Sequence, residues 1–262
     1  MNGFDDKGWC VFPPEPAVLD WVRYAAADAA RALADPAQAP QYQCGGTWFV
    51  GLDALGNDAQ GRVRGSGPLT GRAVDFLTSG TGFWPALHRA QVSVTFPGYP
   101  LPREGETEAG FRYRKNRDAA HVDGLIGRGT PRRRFVEEPH AFVLGIPLNH
   151  ADAGAAPLVV WEGSHHMMQT AFAGAFSGQA PEKLAALDVT EVYQDTRRRA
   201  FDSCRRTVIT APPGSAIVLH RLLLHGVAPW AEGAQAEDDR RMIAYFRPEI
   251  SGGPAAWVAP GA

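Results

Sequence analysis

The chain has 262 residues, which is enough for one large domain with a sizeable hydrophobic core. Its composition, with 45% hydrophobic and 21% charged residues and a net charge of -2, is typical of a soluble globular protein and argues against nucleic acid or an anionic membrane as a partner. The three cysteines are widely spaced and form no CxxC pair, which argues against a disulfide framework or a structural zinc site. We therefore expect a single cytoplasmic domain over residues 1–262, with no membrane helix and no signal peptide.

The first third of the chain is predicted to be a largely helical cover, over residues 1–80. Residues 16–35 place apolar side chains at helical spacing, directly after prolines that a helix tolerates at its start. A short strand is predicted at 46–51, a loop rich in glycine at 56–71 and a second helix at 70–78.

Residues 90–250 repeat short β-rich runs that are closed by glycine or proline. Strands are predicted at 91–96, 140–147, 157–161, 206–210, 215–219 and 240–246. Several short strands with turn signals between them favour a sandwich or barrel over alternating strands and helices. The fold class predicted from these patterns is mainly β with flanking helices (α+β).

Polar and loosely patterned segments interrupt these strands. Residues 98–117 are predicted to be a mobile loop or the rim of a site, and the segment 164–200 shows only one short helix, at 181–187. The arginines at 197–199 are interpreted as a solvated face. Those at 132–134 are interpreted as an exposed loop, with a gate for an anionic substrate as the alternative.

A His-x-Asp motif is the first indication of chemistry. His121 and Asp123 are two residues apart, so both side chains fall on one side of an extended segment. Two neutral imidazoles and one carboxylate on one face of an octahedron bind iron(II) and leave positions free for a co-substrate and oxygen. The motif therefore predicts two ligands of such a site, and the third must come from a strand that is distant in sequence.

His225 is the predicted third ligand, because it stands with Gly226 at the far end of an apolar strand that follows a Pro-Gly turn. His220 lies in the middle of that strand and is its competitor, although a role in the core suits it better. Downstream, either Arg240 or Arg241 opens a strand with a guanidinium that suits a carboxylate. Both cannot face inward on one strand, and the residues alone leave the choice open.

In this order, the motifs resemble the phytanoyl-CoA dioxygenase (PhyH-like) family of iron(II)/2-oxoglutarate oxygenases. The resemblance covers about residues 90–250 and includes the segment 156–165, which is similar to a strand that runs into a Gly-Ser-His turn. It implies a double-stranded β-helix (a jelly-roll, cupin-like core) in residues 90–250. It also implies iron(II), 2-oxoglutarate as co-substrate and O2.

The resemblance further implies that His121, Asp123 and His225 are the catalytic iron ligands and that Arg240 anchors 2-oxoglutarate. Family members often carry a hydroxyl residue two positions after the distal histidine, but this chain has Val227 there. Tyr113, Thr95 or Lys115 is therefore expected to supply the missing donor. Because Asp123 is present, oxygen insertion is favoured over the halogenation that relatives without this carboxylate perform.

The function predicted from the sequence is a 2-oxoglutarate-dependent dioxygenase that hydroxylates a small, anionic molecule with release of succinate and CO2. The alternatives are a cupin-type metal enzyme that does not use 2-oxoglutarate and a non-catalytic relative that only binds a ligand. A monomer or a homodimer is expected, and residues 112–134, around the His-x-Asp motif, are the expected lid over the site.

Overall fold

The computed structural model describes residues 3–259, in which helices flank two facing β-sheets. The α-helices are α1 (Phe4–Lys7), α2 (Pro16–Ala34), α3 (Arg72–Thr81), α4 (Glu108–Asn116), α5 (Ser164–Phe176), α6 (Thr190–Ser203) and α7 (Gly253–Trp257). Short 3-10 helices lie at Pro36–Gln41, Pro181–Ala186 and Glu237–Asp239. Over residues 3–259, no helix combines the length and the hydropathy that a membrane span requires.

The strands form two facing sheets and a separate hairpin. They are β1 (Trp9–Phe12), β2 (Tyr42–Gln43), β3 (Trp48–Phe49), β4 (Gln91–Thr95), β5 (Leu125–Arg128), β6 (Arg133–Val136), β7 (Phe142–Pro147), β8 (Leu158–Trp161), β9 (Arg206–Ile209), β10 (Ala216–His220), β11 (His225–Val227) and β12 (Arg241–Phe246). The large sheet has the order β1-β10-β7-β12-β4-β3-β2, the small sheet the order β11-β8-β9, and β5 pairs with β6. All paired strands are antiparallel.

The two sheets enclose an apolar interior. Val143 and Ile217 from the large sheet pack there with Leu158 and Val160 from the small sheet. The alternate residues of the large sheet face outward, where α2 covers them and forms a second core. This arrangement is the predicted double-stranded β-helix with flanking helices.

The orientation of β12 follows from the same alternation. Met242, Ala244 and Phe246 belong to the core under α2, where the rings of Phe246 and Trp21 lie 6.0 Å apart. The side chains at 241, 243, 245 and 247 therefore face the interior between the two sheets.

The helices at 16–35 and 70–78 and the strands of residues 90–250 form close to their predicted positions. The segment 98–117, predicted as a loop or rim, contains α4, whose residues are all at least partly exposed, so no apolar periodicity marked it. The loosely patterned segment 164–200 contains α5 and most of α6. The three arginines at 132–134 lie at the turn and second strand of the β5–β6 hairpin rather than in a simple loop.

His220 lies at the end of β10 in a cluster of histidines, away from His225. Its ring centroid is 4.7 Å from that of His165, which in turn lies 3.9 Å from that of His166. Burial lowers the pKa of His165 to about 4, and burial, with the charge of Arg221 as a smaller cause, lowers the pKa of His220 to about 2. Both rings are therefore neutral in the folded protein, as suits a histidine of the core.

These two histidines make the metal-free protein acid-sensitive. An unfolded histidine titrates near pH 6.5, whereas the folded pKa values are lower, so below pH 6.5 the unfolded chain binds more protons. We expect the free energy of unfolding to fall by about 1.4 kcal/mol per pH unit for each histidine between pH 6.5 and about 4. Urea unfolding at several pH values measures this slope. The variant His220→Gln should lower this slope by the contribution of one histidine. An unchanged slope in that variant would contradict the lowered pKa of His220.

Candidate metal centre

His121 and His225 lie opposite each other on paired backbone segments. The N–H of His121 donates to the carbonyl of His225 at 2.8 Å, and the N–H of His225 donates to the carbonyl of His121 at 3.0 Å. Each ring donates its Nδ1–H to a carbonyl two residues earlier, at Ala119 (3.0 Å) and Leu223 (2.9 Å). Because a carbonyl can only accept, Nε2 of both rings keeps its lone pair free for a metal.

Asp123 completes the set of ligand atoms. Its Oδ1 lies 3.3 Å from Nε2 of His121, and its Oδ2 lies 3.5 Å from Nε2 of His225. One ligand atom from each residue falls within 4.8 Å of the others. Two imidazole nitrogens and one carboxylate oxygen at this spacing fit the facial set that non-haem iron(II) prefers. The structure thus brings together the three ligands predicted from the sequence.

Arg247, just after β12, contacts the buried carboxylate of Asp123. Its Nη1 lies 3.3 Å from Oδ2 of Asp123, while its Nη2 donates to the Gln91 side chain. Burial alone would raise the pKa of Asp123, but the charge of the Arg247 guanidinium is the largest of the effects that outweigh it and hold that pKa well below its usual range. The carboxylate is therefore ionised and ready to bind a cation.

The backbone arm that leads into His121 is held against β11 and β9. Arg206 of β9 makes a bidentate ion pair with Asp118, with N···O distances of 2.7 and 2.9 Å. The Asp118 carbonyl accepts the N–H of Val227 at 2.7 Å. At Gly226, an added Cβ would overlap that same carbonyl and would lie 2.9 Å from Cα of Ala120. The glycine after His225 therefore allows the close approach that brings the two histidines together.

A cavity of about 1180 Å³ opens beside these ligands, and His121 and Asp123 lie in its wall. Arginines from several elements line it, including Arg117, Arg132, Arg134, Arg197 and Arg247. Trp48 also lines it, and its Nε1 donates to Ser93 at 3.0 Å. A volume of this size accommodates a metabolite-sized substrate together with a co-substrate.

The structure does not bring Arg240 into this cavity. Arg240 precedes β12, and its Nη2 pairs with Asp238 at 2.7 Å on the outside of the fold. Arg241 is the arginine that faces the interior, since β12 begins with it and Met242 belongs to the outer core. Arg240 as the anchor stays a prediction, and the structure turns the adjacent Arg241 toward the interior. Arg241 is buried, and among residues 3–259 no carboxylate lies within ion-pairing distance of it.

Of the predicted hydroxyl donors, Thr95 and Tyr113 occupy different places. Thr95 faces Arg241 across β4 and β12, and its buried hydroxyl has no hydrogen-bond partner among residues 3–259. Tyr113 is exposed on α4 and lines the large cavity, whereas Lys115 on the same helix is exposed and does not line it. Thr95 is therefore the predicted donor that lies beside the inward arginine.

The register of β12 locates Arg241 relative to the metal ligands. The Arg247 guanidinium contacts both Asp123 and the side chain of Gln91, and Gln91 pairs with Tyr245. The predicted ligands therefore lie near the level of Tyr245 along β12. Arg241 lies four residues earlier, roughly 13 Å away along the strand at about 3.3 Å per residue.

Arg247 and His140 were missed by the sequence reasoning. Arg247 lies an even number of residues after Arg241, and alternate residues of an extended segment face the same side. Once Arg241 is known to face inward, Arg247 is therefore expected to face inward too. His140 is buried in the cavity wall, its Nδ1 has no partner among residues 3–259, and burial lowers its pKa to about 4.

No family model and no curated protein sequence matches the chain. Among solved structures it is similar to EctD from S. alaskensis with bound Fe, with 18% identity, a TM-score of 0.50 and coverage of 94% of this chain and 73% of that one. It is also similar to the epimerase SnoN in complex with Fe3+, alpha ketoglutarate and nogalamycin RO, with 14% identity, a TM-score of 0.52 and coverage of 99% and 88%. The chain therefore shares its fold with these two proteins.

Proposed function

We propose that this protein is an iron(II)- and 2-oxoglutarate-dependent dioxygenase that hydroxylates an unactivated C–H bond of a small anionic molecule. One atom of O2 enters the C–H bond as a hydroxyl group. The other enters succinate as 2-oxoglutarate loses CO2. The observation that carries the proposal is the convergence of His121, Asp123 and His225 beside a large cavity in a double-stranded β-helix.

The residues of the chain would hold the metal through Nε2 of the two histidines and the carboxylate of Asp123. Iron bound there with 2-oxoglutarate and O2 supplies the oxidising chemistry. The backbone carbonyls of Ala119 and Leu223 fix the orientation of the two rings. Because Asp123 occupies the position that halogenating enzymes leave open, the ligand set favours hydroxylation.

Arg241, in place of Arg240, is proposed to bind the distal carboxylate of 2-oxoglutarate, with the Thr95 hydroxyl as a second donor. A planar guanidinium binds two carboxylate oxygens at once, and both Arg241 and Thr95 are buried, with the Thr95 hydroxyl unpartnered among residues 3–259. The roughly 13 Å between Arg241 and the level of the metal ligands is a length that an arginine side chain and a five-carbon dicarboxylate fill together.

The variants Arg241→Gln and Arg240→Gln test this anchor as a matched pair. Losing a charge-assisted hydrogen bond costs roughly 1.5–3 kcal/mol, so Arg241→Gln should weaken 2-oxoglutarate binding on the order of tenfold or more. Arg240→Gln, which removes only an outer ion pair, should bind it as the wild type does. Calorimetric titration of 2-oxoglutarate into the iron-loaded protein without oxygen measures both. Weakened binding in Arg240→Gln together with wild-type binding in Arg241→Gln would identify Arg240 as the anchor instead.

The proposed function itself is tested by turnover of 2-oxoglutarate in the absence of a substrate. With iron(II), ascorbate and O2, the wild-type protein should release CO2 and succinate in equal amounts. Oxygen consumption that does not depend on 2-oxoglutarate would identify a cupin-type enzyme instead. Intact iron binding with no turnover at all would contradict the proposal and indicate a ligand-binding protein.

A further inference from the structure

Three arginines form one wall of the cavity without carboxylate partners. This arginine wall consists of Arg132, Arg134 and Arg197, which come from the β5–β6 hairpin and from α6. Among residues 3–259 none of the three makes an ion pair, whereas the neighbouring Arg133 pairs with Asp188 and Glu191. Arg134 and Arg197 are partly buried, and a guanidinium group taken out of water is costly unless an anion binds to it.

The wall adjoins both ends of the His121-x-Asp123 motif. Nη1 of Arg134 donates to the carbonyl of Leu125 at 3.1 Å, and Nη1 of Arg197 lies 3.5 Å from the carbonyl of Ala120. A group held by these arginines therefore lies next to the backbone that carries two of the three metal ligands.

Aromatic rings hold the Arg197 guanidinium without using its hydrogen-bond donors. Its centre lies 5.3 Å from the ring of Tyr193, 5.8 Å from that of Tyr113 and 6.0 Å from that of Phe201. Stacking on ring faces leaves the N–H edge of a guanidinium free. The Nε of Arg197 is buried and has no hydrogen-bond partner among residues 3–259. This donor is positioned but not used by the protein itself.

The positive charges of the arginine wall repel one another, and this affects the pKa of Arg134. Burial lowers the pKa of Arg134, and the charges of Arg132 and Arg197 lower it further against the opposite effect of Tyr193. A monoanion compensates one guanidinium, whereas a phosphate monoester carries up to two charges and three acceptor oxygens at neutral pH. The number and closeness of the arginines thus match a phosphate group better than a single carboxylate.

We propose that the arginine wall is a phosphate-binding subsite and that the substrate is a phosphorylated small molecule. This inference rests on the proposed function, since it names the substrate class of the same site. Arg134 and Arg197 bind the phosphate oxygens, and the exposed ring of Tyr113 packs against the rest of the substrate.

Phenyl phosphate and benzenesulfonate are the probes that test this subsite, since both carry a ring but only the first is a dianion. Calorimetry on the full-length protein should show phenyl phosphate binding at least about tenfold more tightly than the monoanion, with or without iron(II) and 2-oxoglutarate. Because binding is also measured without these two, its failure is distinguishable from failure of the proposed dioxygenase activity. Equal affinity for both probes, or displacement of phenyl phosphate by 2-oxoglutarate, would overturn the subsite.

Adjacent arginines on α6 provide a matched pair of variants. Arg197→Gln should weaken phenyl phosphate binding on the order of tenfold or more. Arg198→Gln should not, because Arg198 faces solvent and pairs with Asp195. Arg197→Lys, which keeps the charge, should recover part of the loss and guards against a folding defect in the first variant. Wild-type binding in both Arg197→Gln and Arg134→Gln would contradict the proposal.

Discussion

Replacing His225 with alanine is expected to abolish 2-oxoglutarate turnover and to weaken iron(II) binding severely. The ring supplies one of three ligand atoms, and its Nδ1–H is already committed to the Leu223 carbonyl. The loss should exceed the roughly 10- to 100-fold that removal of an outer hydrogen-bond partner costs, because here a direct ligand is removed. Anaerobic titration with iron(II) and the CO2 release assay measure the two effects.

The matched control for this prediction is His220→Gln. His220 was the competing ligand in the sequence, but the structure places it against His165 and outside the ligand set. The variant should keep wild-type iron affinity while changing the acid sensitivity of the protein. A result in which His220→Gln loses iron and His225→Ala retains it would exclude the site as described.

The grouping of His121, Asp123 and His225 was predictable because its signal is local. His121 and Asp123 are two residues apart, and His225 stands before a glycine at the end of an apolar strand. Each clue depends on a few neighbouring residues and on the period of an extended backbone. The topology of the double-stranded β-helix then pairs the backbones of His121 and His225 and so brings the two side chains together.

Which of Arg240 and Arg241 faces inward was not predictable from the sequence. Arg240 and Arg241 are chemically identical, and a shift of one position exchanges the two faces of a strand. What decides between them is a tertiary contact, the packing of Met242, Ala244 and Phe246 beneath α2. No sequence pattern within 240–246 reveals which face meets that helix.

The arginine wall was hidden for a related reason. Arg197 stands in a run of three arginines, of which Arg198 faces solvent and Arg197 faces the cavity. The run looks like a solvated face until the position of α6 against the β5–β6 hairpin is known. Arg134 is similarly flanked by Arg133, whose ion pairs lie outside the cavity. When only some arginines of a run face the cavity, the composition of the run does not show which ones they are.

Replacing Gly226 with alanine is expected to damage the metal centre without touching a ligand. The new Cβ would overlap the Asp118 carbonyl and press on Cα and N of Ala120, at 2.9 and 3.0 Å. Asp118 cannot retreat freely, since its carbonyl accepts the Val227 N–H and its carboxylate is paired with Arg206. Relief therefore requires the arm that carries His121 to move away from His225.

We expect Gly226→Ala to lower the free energy of unfolding by about 1–3 kcal/mol, the usual cost of overpacking, and to weaken iron(II) binding at least about tenfold. Gly174→Ala is the matched control, because Gly174 is exposed on α5 with no atom within 4 Å of an added Cβ. That variant should gain roughly 0.5–1 kcal/mol from helix propensity and leave iron binding unchanged. Urea unfolding and anaerobic iron titration compare the two. Wild-type iron affinity in Gly226→Ala would mean that the glycine after His225 is dispensable and that the pairing of the two histidine segments tolerates a side chain.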